Sequence, residues 1–264
     1  MKPAIAGITA VMAALVLFAE PSLMHAQRGR GGAGQPAAGR GARATAPADL
    51  TGYWVSVVTE DWRYRMITPP KGEYGGLPIS AEGRRVADTW DPAKDETAGM
   101  QCKAYGAAGI MRIPGRLRFT WENDNTLRLD TDAGGQTRLL HFGDPPPVGE
   151  LTWQGRSVAQ WQTGGGQGTR FTEADLSRPG GFMKVVTAQM RPGYLRKNGV
   201  PYSSNAVMTE YFESHQGPNG QAYLVVSTVI EDPQYLSQPY LTSTNFKKLP
   251  EATSGWSPTP CTTK

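Results

Sequence analysis

The sequence predicts an all-β fold, an antiparallel up-and-down barrel carrying one short helix, and three observations predict it. Runs of five to ten residues alternate apolar with polar side chains, the period of a strand with one buried face. Clusters of Gly, Pro, Asn and Asp punctuate these runs at short intervals, as tight antiparallel connections require. One segment alone has helical spacing. A two-sheet β-sandwich satisfies the same pattern, but local hairpin joins and the removal of exposed edges favour closure.

The chain opens with Lys2, an apolar run from Ile5 to Ala19 and a break at Glu20-Pro21, the three-part form of a secretory signal spanning 1–26. That run is too short to cross a bilayer, so no transmembrane segment is expected after its removal. Residues 27–48 hold no large apolar side chain and read as a flexible Gly/Ala/Arg/Pro linker. A single β-rich domain is expected over 49–264.

Within that domain Leu50 to Thr59 reads as a strand, and Trp62 to Thr68 as its partner across the Glu60-Asp61 turn. Ser80 to Trp90 has an N-cap serine and apolar residues at helical spacing, and Asp91-Pro92 stops it. A short helical turn carries Cys102. Leu117, Phe119 and Trp121 then alternate with Arg116, Arg118 and Thr120. Asn123-Asp124-Asn125 and Gly134-Gly135 turn the chain into Thr126 to Asp130 and Gln136 to Phe142, an antiparallel meander. Pro145-Pro146-Pro147 breaks the sheet. Ser157 to Gln162 and Phe182 to Met190 are further strands around a Gly164 to Gly168 connection, and Arg191 to Ser203 is a structured loop.

The stretch from Asn205 to Pro233 is the strongest single signal: two β-branched and aromatic runs flank Gly217-Pro218-Asn219-Gly220. With those four residues as the loop, Gln216 faces Gln221 and Glu210 faces Ser227, and the hairpin lies centrally in its sheet. Tyr235 to Phe246 supplies a last strand. The resulting barrel is lipocalin-like or calycin-like in its connectivity.

The net charge of +4 is misleading. Setting aside Lys2, Glu20 and the four linker arginines Arg28, Arg30, Arg40 and Arg43 leaves 22 basic and 22 acidic residues in the body. That balance predicts no nucleic-acid partner. The two cysteines, Cys102 and Cys261, are expected to pair in an oxidising compartment.

Segments TGYWVSVVTEDW, ISAEGRRVADTW, GRLRF, NTLRLDTDAGGQTRLLHF, MKVVTAQMRPGYLRKNGVPYS, VMTEYFE and STVIEDPQYLSQPY resemble those of a family of uncharacterised exported β-rich proteins of Gram-negative bacteria. The resemblance spans nearly all of the body. It implies a periplasmic or secreted location and a β-rich domain, and no chemistry.

Hydrolase motifs of the GxSxG and HExxH kinds are absent. His141 and His215 are the histidines left after signal removal; a metal site would need both to converge, His215 borders the hairpin turn, and no metal or cofactor is expected. Glu210 stands out. It falls among Met208, Phe212, Val225 and Val229, where a carboxylate needs a basic partner such as Arg138 or Arg118. Arg138 and His141 are three residues apart and therefore on opposite faces of a strand. Two functions follow as expectations. One is a barrel that binds a small apolar or amphipathic molecule through Arg138, Trp121, Tyr211, Phe212, Tyr223 and Ser227 around Glu210. The other is a cofactor-independent isomerase, cyclase or lyase in which Glu210 and His141 transfer a proton. A third, an envelope protein that holds a protein partner, follows from the same sheet surface and basic linker.

Overall fold

A computed structural model describes residues 41–144, 147, 149–163 and 181–263. The predicted signal, most of the linker, two of the three prolines at 145–147 and the Gly164 to Gly168 connection lie outside the described residues.

Nine strands close into a barrel: β1 (Gly52–Val57), β2 (Arg116–Asn123), β3 (Thr126–Thr131), β4 (Thr137–Phe142), β5 (Arg156–Thr163), β6 (Gly181–Ala188), β9 (Val207–Gln216), β10 (Ala222–Glu231) and β11 (Tyr240–Leu249). Going round the barrel the order follows the chain, and β1 closes against β11. The predicted meander is present, with one departure: β4 and β5 run parallel. Each antiparallel contact reverses strand direction, so a closed ring with an odd number of strands must contain a parallel pair. The chain between Phe142 and Arg156 makes that crossover, and a parallel join needs about a dozen residues.

Two further strands, β7 (Gly193–Arg196) and β8 (Val200–Tyr202), pair outside the barrel. They turn the expected loop into a small hairpin inserted between β6 and β9. Among the described residues there are four short α-helices: α1 (Trp62–Met66), α2 (Ala81–Ala87), α3 (Pro92–Thr97) and α4 (Ala107–Ile110). Helix α2 is the predicted one, with the Ser80 hydroxyl accepting from Gly83 N at 3.0 Å. The helix ends at Ala87, short of the expected Trp90, and Asp91 caps α3 instead, accepting from Ala93 N at 3.1 Å. Helix α1 replaces a predicted strand. The alternation of Trp62, Tyr64 and Met66 with arginines suits a strand, yet β1 already pairs with β2 and β11 and has no open edge to offer. Among the described residues no helix is long and apolar enough to cross a membrane.

The interior is filled by alternate side chains. Trp54, Leu117, Phe119, Leu129, Leu140, Met183, Phe212 and Phe246 belong to one apolar cluster. Met190, Val200, Tyr202, Met208 and Ile230 belong to a second, at the end of the barrel where β7, β8 and the helices pack. At the opposite end the last linker residues are structured rather than loose. Ala42 is buried, and its carbonyl accepts from Trp161 Nε1 at 2.8 Å. A disulfide joins Cys102, in the 3-10 turn Gln101–Tyr105, to Cys261 in the tail, as the cysteine count predicts.

Candidate functional site

Strand β9 carries Glu210 into the barrel between Met208 of one cluster and Phe212 of the other. Strand β4 brings Arg138 to it: Nη1 donates to Oε1 at 3.1 Å and Nη2 to Oε2 at 2.6 Å. Nη2 also donates to Thr187 Oγ1 at 3.2 Å, and that hydroxyl lies 2.8 Å from Ser157 Oγ. Thr228 and Thr244 are buried on the neighbouring strands β10 and β11. A polar layer therefore crosses the barrel and separates its two apolar clusters. The bidentate geometry neutralises both charges, and with both residues almost fully buried the pair is a structural cross-tie, out of reach of solvent.

The hairpin register differs from the predicted one by a residue. Gly217 N donates to Gln221 O at 2.8 Å, and Asn219 Oδ1 accepts from Gln221 N at 3.0 Å, which makes a five-residue loop. Gln216 thus pairs with Ala222 and Glu210 with Thr228. A slip of one exchanges the faces of β10. Leu224, Val226, Thr228 and Ile230 are buried, whereas Tyr223, Val225, Ser227 and Val229 face outward.

That exchange redistributes the predicted site residues. Phe212 is buried and packs edge-on against Phe119, with ring centroids 6.1 Å apart. Tyr211 lies on the outer face against Phe182, Tyr223 stacks on His215 outside the barrel, and Ser227 is on the outer face opposite Tyr211. His141 is also on the outer face of β4, 3.3 Å from Thr126 Oγ1, and burial followed by the charge of Arg156 lowers its pKa. Glu210 and His141 are therefore not brought together, and the anticipated proton-transfer pair does not form. Trp121 lines a cleft of about 330 Å³ at the mouth closed by residues 43–51.

The most developed constellation lies at the other end, on residues that sequence patterns do not single out. Helices α2 and α3 and the β7–β8 hairpin enclose a cleft of about 320 Å³ walled by Trp90, Tyr194, Tyr202 and Tyr235. Asp95 from α3 accepts from Lys103 Nζ at 2.6 Å and from Tyr194 OH at 2.7 Å, and Lys103 Nζ is 3.3 Å from the same hydroxyl. Burial, and then the hydrogen bond to Asp95, raise the pKa of Tyr194, so the phenol stays protonated. Tyr202 OH is buried with no hydrogen-bond partner among the described residues, and burial raises its pKa too. Glycine is required beside it: a Cβ on Gly193 would stand 2.5 Å from Lys103 O and 2.7 Å from Tyr202 OH. The available signal was the Pro192-Gly193-Tyr194 punctuation of the predicted loop, where an aromatic residue is held by a backbone that only glycine permits. Asp95 and Lys103 by contrast read as ordinary surface charges.

Among the described residues no group of three His, Cys, Asp or Glu could hold a metal ion. None of the protein-family models, curated protein sequences or solved structures compared with the chain matches it.

Proposed function

We propose that the protein is an exported binding domain that takes a small, partly apolar molecule in the aromatic cleft at its helical end, outside the barrel interior. The observation that carries this reading is the convergence of Trp90, Tyr194, Tyr202 and Tyr235 on one cleft with the Asp95–Lys103–Tyr194 cluster. Aromatic faces supply contact area with little loss of side-chain freedom, and the polar cluster supplies oriented donors and an acceptor. The unpaired Tyr202 hydroxyl is a further group that a ligand would satisfy. Inside the barrel Glu210 is already paired to Arg138, among the packed side chains of the apolar clusters, which leaves that carboxylate no role in holding a ligand. Export is supported by the secretory form of residues 1–26 and by the Cys102–Cys261 bond, since such bonds persist in oxidising compartments.

Native mass spectrometry of protein purified from its own cell envelope tests the reading. Wild type retains a small molecule that Trp90→Ala loses, and Tyr194→Phe weakens its retention about tenfold, the scale of one strong hydrogen bond. A bare wild type, or equal retention by all three proteins, would overturn it.

A further inference from the structure

A second cleft, of about 390 Å³, opens on the other side of β7, between the α1 segment and Leu195, Arg196 and Lys197 at the end of that strand. Arg65, Arg112, Arg196 and Lys197 line it, and none of its lining residues is acidic. Glu60 and Asp61 pair with Arg65 and Arg112, so of these four positive charges two are offset and a local excess remains.

The arginines are held in place from behind. Arg112 pairs with Asp61 at 2.5 Å, and Arg196 donates to Gly75 O at 3.0 and 3.1 Å with its guanidinium 4.4 Å from the centre of the Tyr64 ring. Arg65 is the telling residue. Its side chain is 1% exposed, its Nε donates to Arg112 O at 3.0 Å and its Nη1 to Glu60, while Nη2 is buried with no acceptor among the described residues. A buried guanidinium nitrogen without an acceptor is costly, and an anion in the cleft would remove that cost. Burial lowers the pKa of both Arg65 and Arg196, as expected where cations have been gathered away from solvent.

The rim of the same cleft is apolar. Met66 and Ile67 line it and are 60% and 65% exposed, and Trp62, one turn earlier on α1, is 64% exposed. Ile113, Pro114 and Leu195 continue the apolar wall. Cations inside and exposed hydrocarbon at the lip are complementary to one kind of guest, a molecule with an anionic head and an apolar tail.

We infer that this cleft is a second ligand site, specific for a single amphipathic carboxylate whose head reaches Arg65, Arg112 and Arg196 and whose chain lies on Met66 and Ile67.

The experiment is isothermal titration of the whole exported protein with dodecanoate below its micelle concentration, beside acetate and dodecyltrimethylammonium. Dodecanoate binds one to one, while the head alone and the cationic analogue bind at least about tenfold more weakly. Arg196→Gln weakens dodecanoate about tenfold, as the loss of one charge-assisted contact does, Arg196→Lys restores part of that, and Ile67→Ser weakens it severalfold. Arg65→Met is read only if its circular dichroism matches wild type, and the Arg196 and Ile67 variants keep the test decisive if it does not. Trp90→Ala leaves dodecanoate binding unchanged, so failure here and failure at the aromatic cleft are distinguishable. No dodecanoate binding, equal binding by wild type and Arg196→Gln, or equal affinity for acetate would overturn the inference. So would sedimentation with phosphatidylglycerol vesicles without uptake of the monomeric acid, or preference for an acidic peptide, because either assigns the cleft to a surface.

Discussion

Glu210 illustrates how a residue's role depends on what stands beside it. Its β9 neighbours Met208 and Phe212 already imply burial, and a buried carboxylate must be neutralised or paired. The partner is Arg138 and not Arg118, which sits on the outer face and donates to Asp130 at 3.0 Å. Removing one member of such a pair costs more than removing both, since the survivor is left charged in an apolar setting. Glu210→Gln is therefore expected to destabilise the protein by about 3–5 kcal/mol, whereas the double change Glu210→Leu with Arg138→Met costs much less. Urea denaturation of the three proteins measures this. Equal losses for the single and double variants would contradict a cross-tie.

At the scale of elements, the outer face of the β2–β3–β4 meander is held by Asp130. It accepts from Thr137 Oγ1 at 2.6 Å, Arg128 Nε at 2.8 Å and Arg118 Nη2 at 3.0 Å. Burial alone would raise its pKa, but the Thr137, Arg128 and Arg118 donors outweigh that and depress it. A carboxylate depressed in the folded state stabilises the fold fully above the ordinary aspartate value of about 3.9, and that contribution fades as pH falls through the depressed value. The stability gap between wild type and Asp130→Asn should then hold steady from neutral pH to about 5 and narrow below about 4. Urea titrations across that range decide it, and a gap that stayed constant in acid would mean that the ionised form of Asp130 contributes nothing. The same strands were legible because their alternation faces a core on one side and water on the other. The hairpin loop was not, because Asn219 and Gln221 close it through side-chain and backbone bonds that a turn-forming composition leaves open.

On the scale of the whole molecule, the helices, the β7–β8 hairpin and both clefts flanking β7 gather at one end of the barrel. The disulfide ties the C-terminal tail to that end, where Tyr105 OH lies 3.1 Å from Thr262 Oγ1. Cys102 and Cys261 are 159 residues apart, and closing so long a loop restricts the unfolded chain strongly. Cys102→Ser with Cys261→Ser should lower stability by about 2–5 kcal/mol, with loosening first in the Gln101–Tyr105 turn that carries Lys103. Hydrogen exchange on oxidised and double-mutant protein checks both statements. Unchanged protection in that turn would remove the disulfide from any part in shaping the aromatic cleft.

By itself the sequence determined most of the strands, the helix behind Ser80, the disulfide and the burial of Glu210, because each follows from local periodicity, capping, pairing or the cost of an isolated charge. Barrel closure decided the rest. An odd ring imposed the parallel β4–β5 contact, a closed edge denied Trp62 to Met66 a place as a strand, and a one-residue register set which half of β10 faces inward. The clefts depend on Asp95 meeting Lys103 and Tyr194, and on Arg65 meeting Arg112 and Arg196. Asp95 and Lys103 are only eight residues apart, but the contacts of Asp95 with Tyr194 and of Arg65 with Arg112 join distant parts of the chain, and only tertiary packing brings those side chains together.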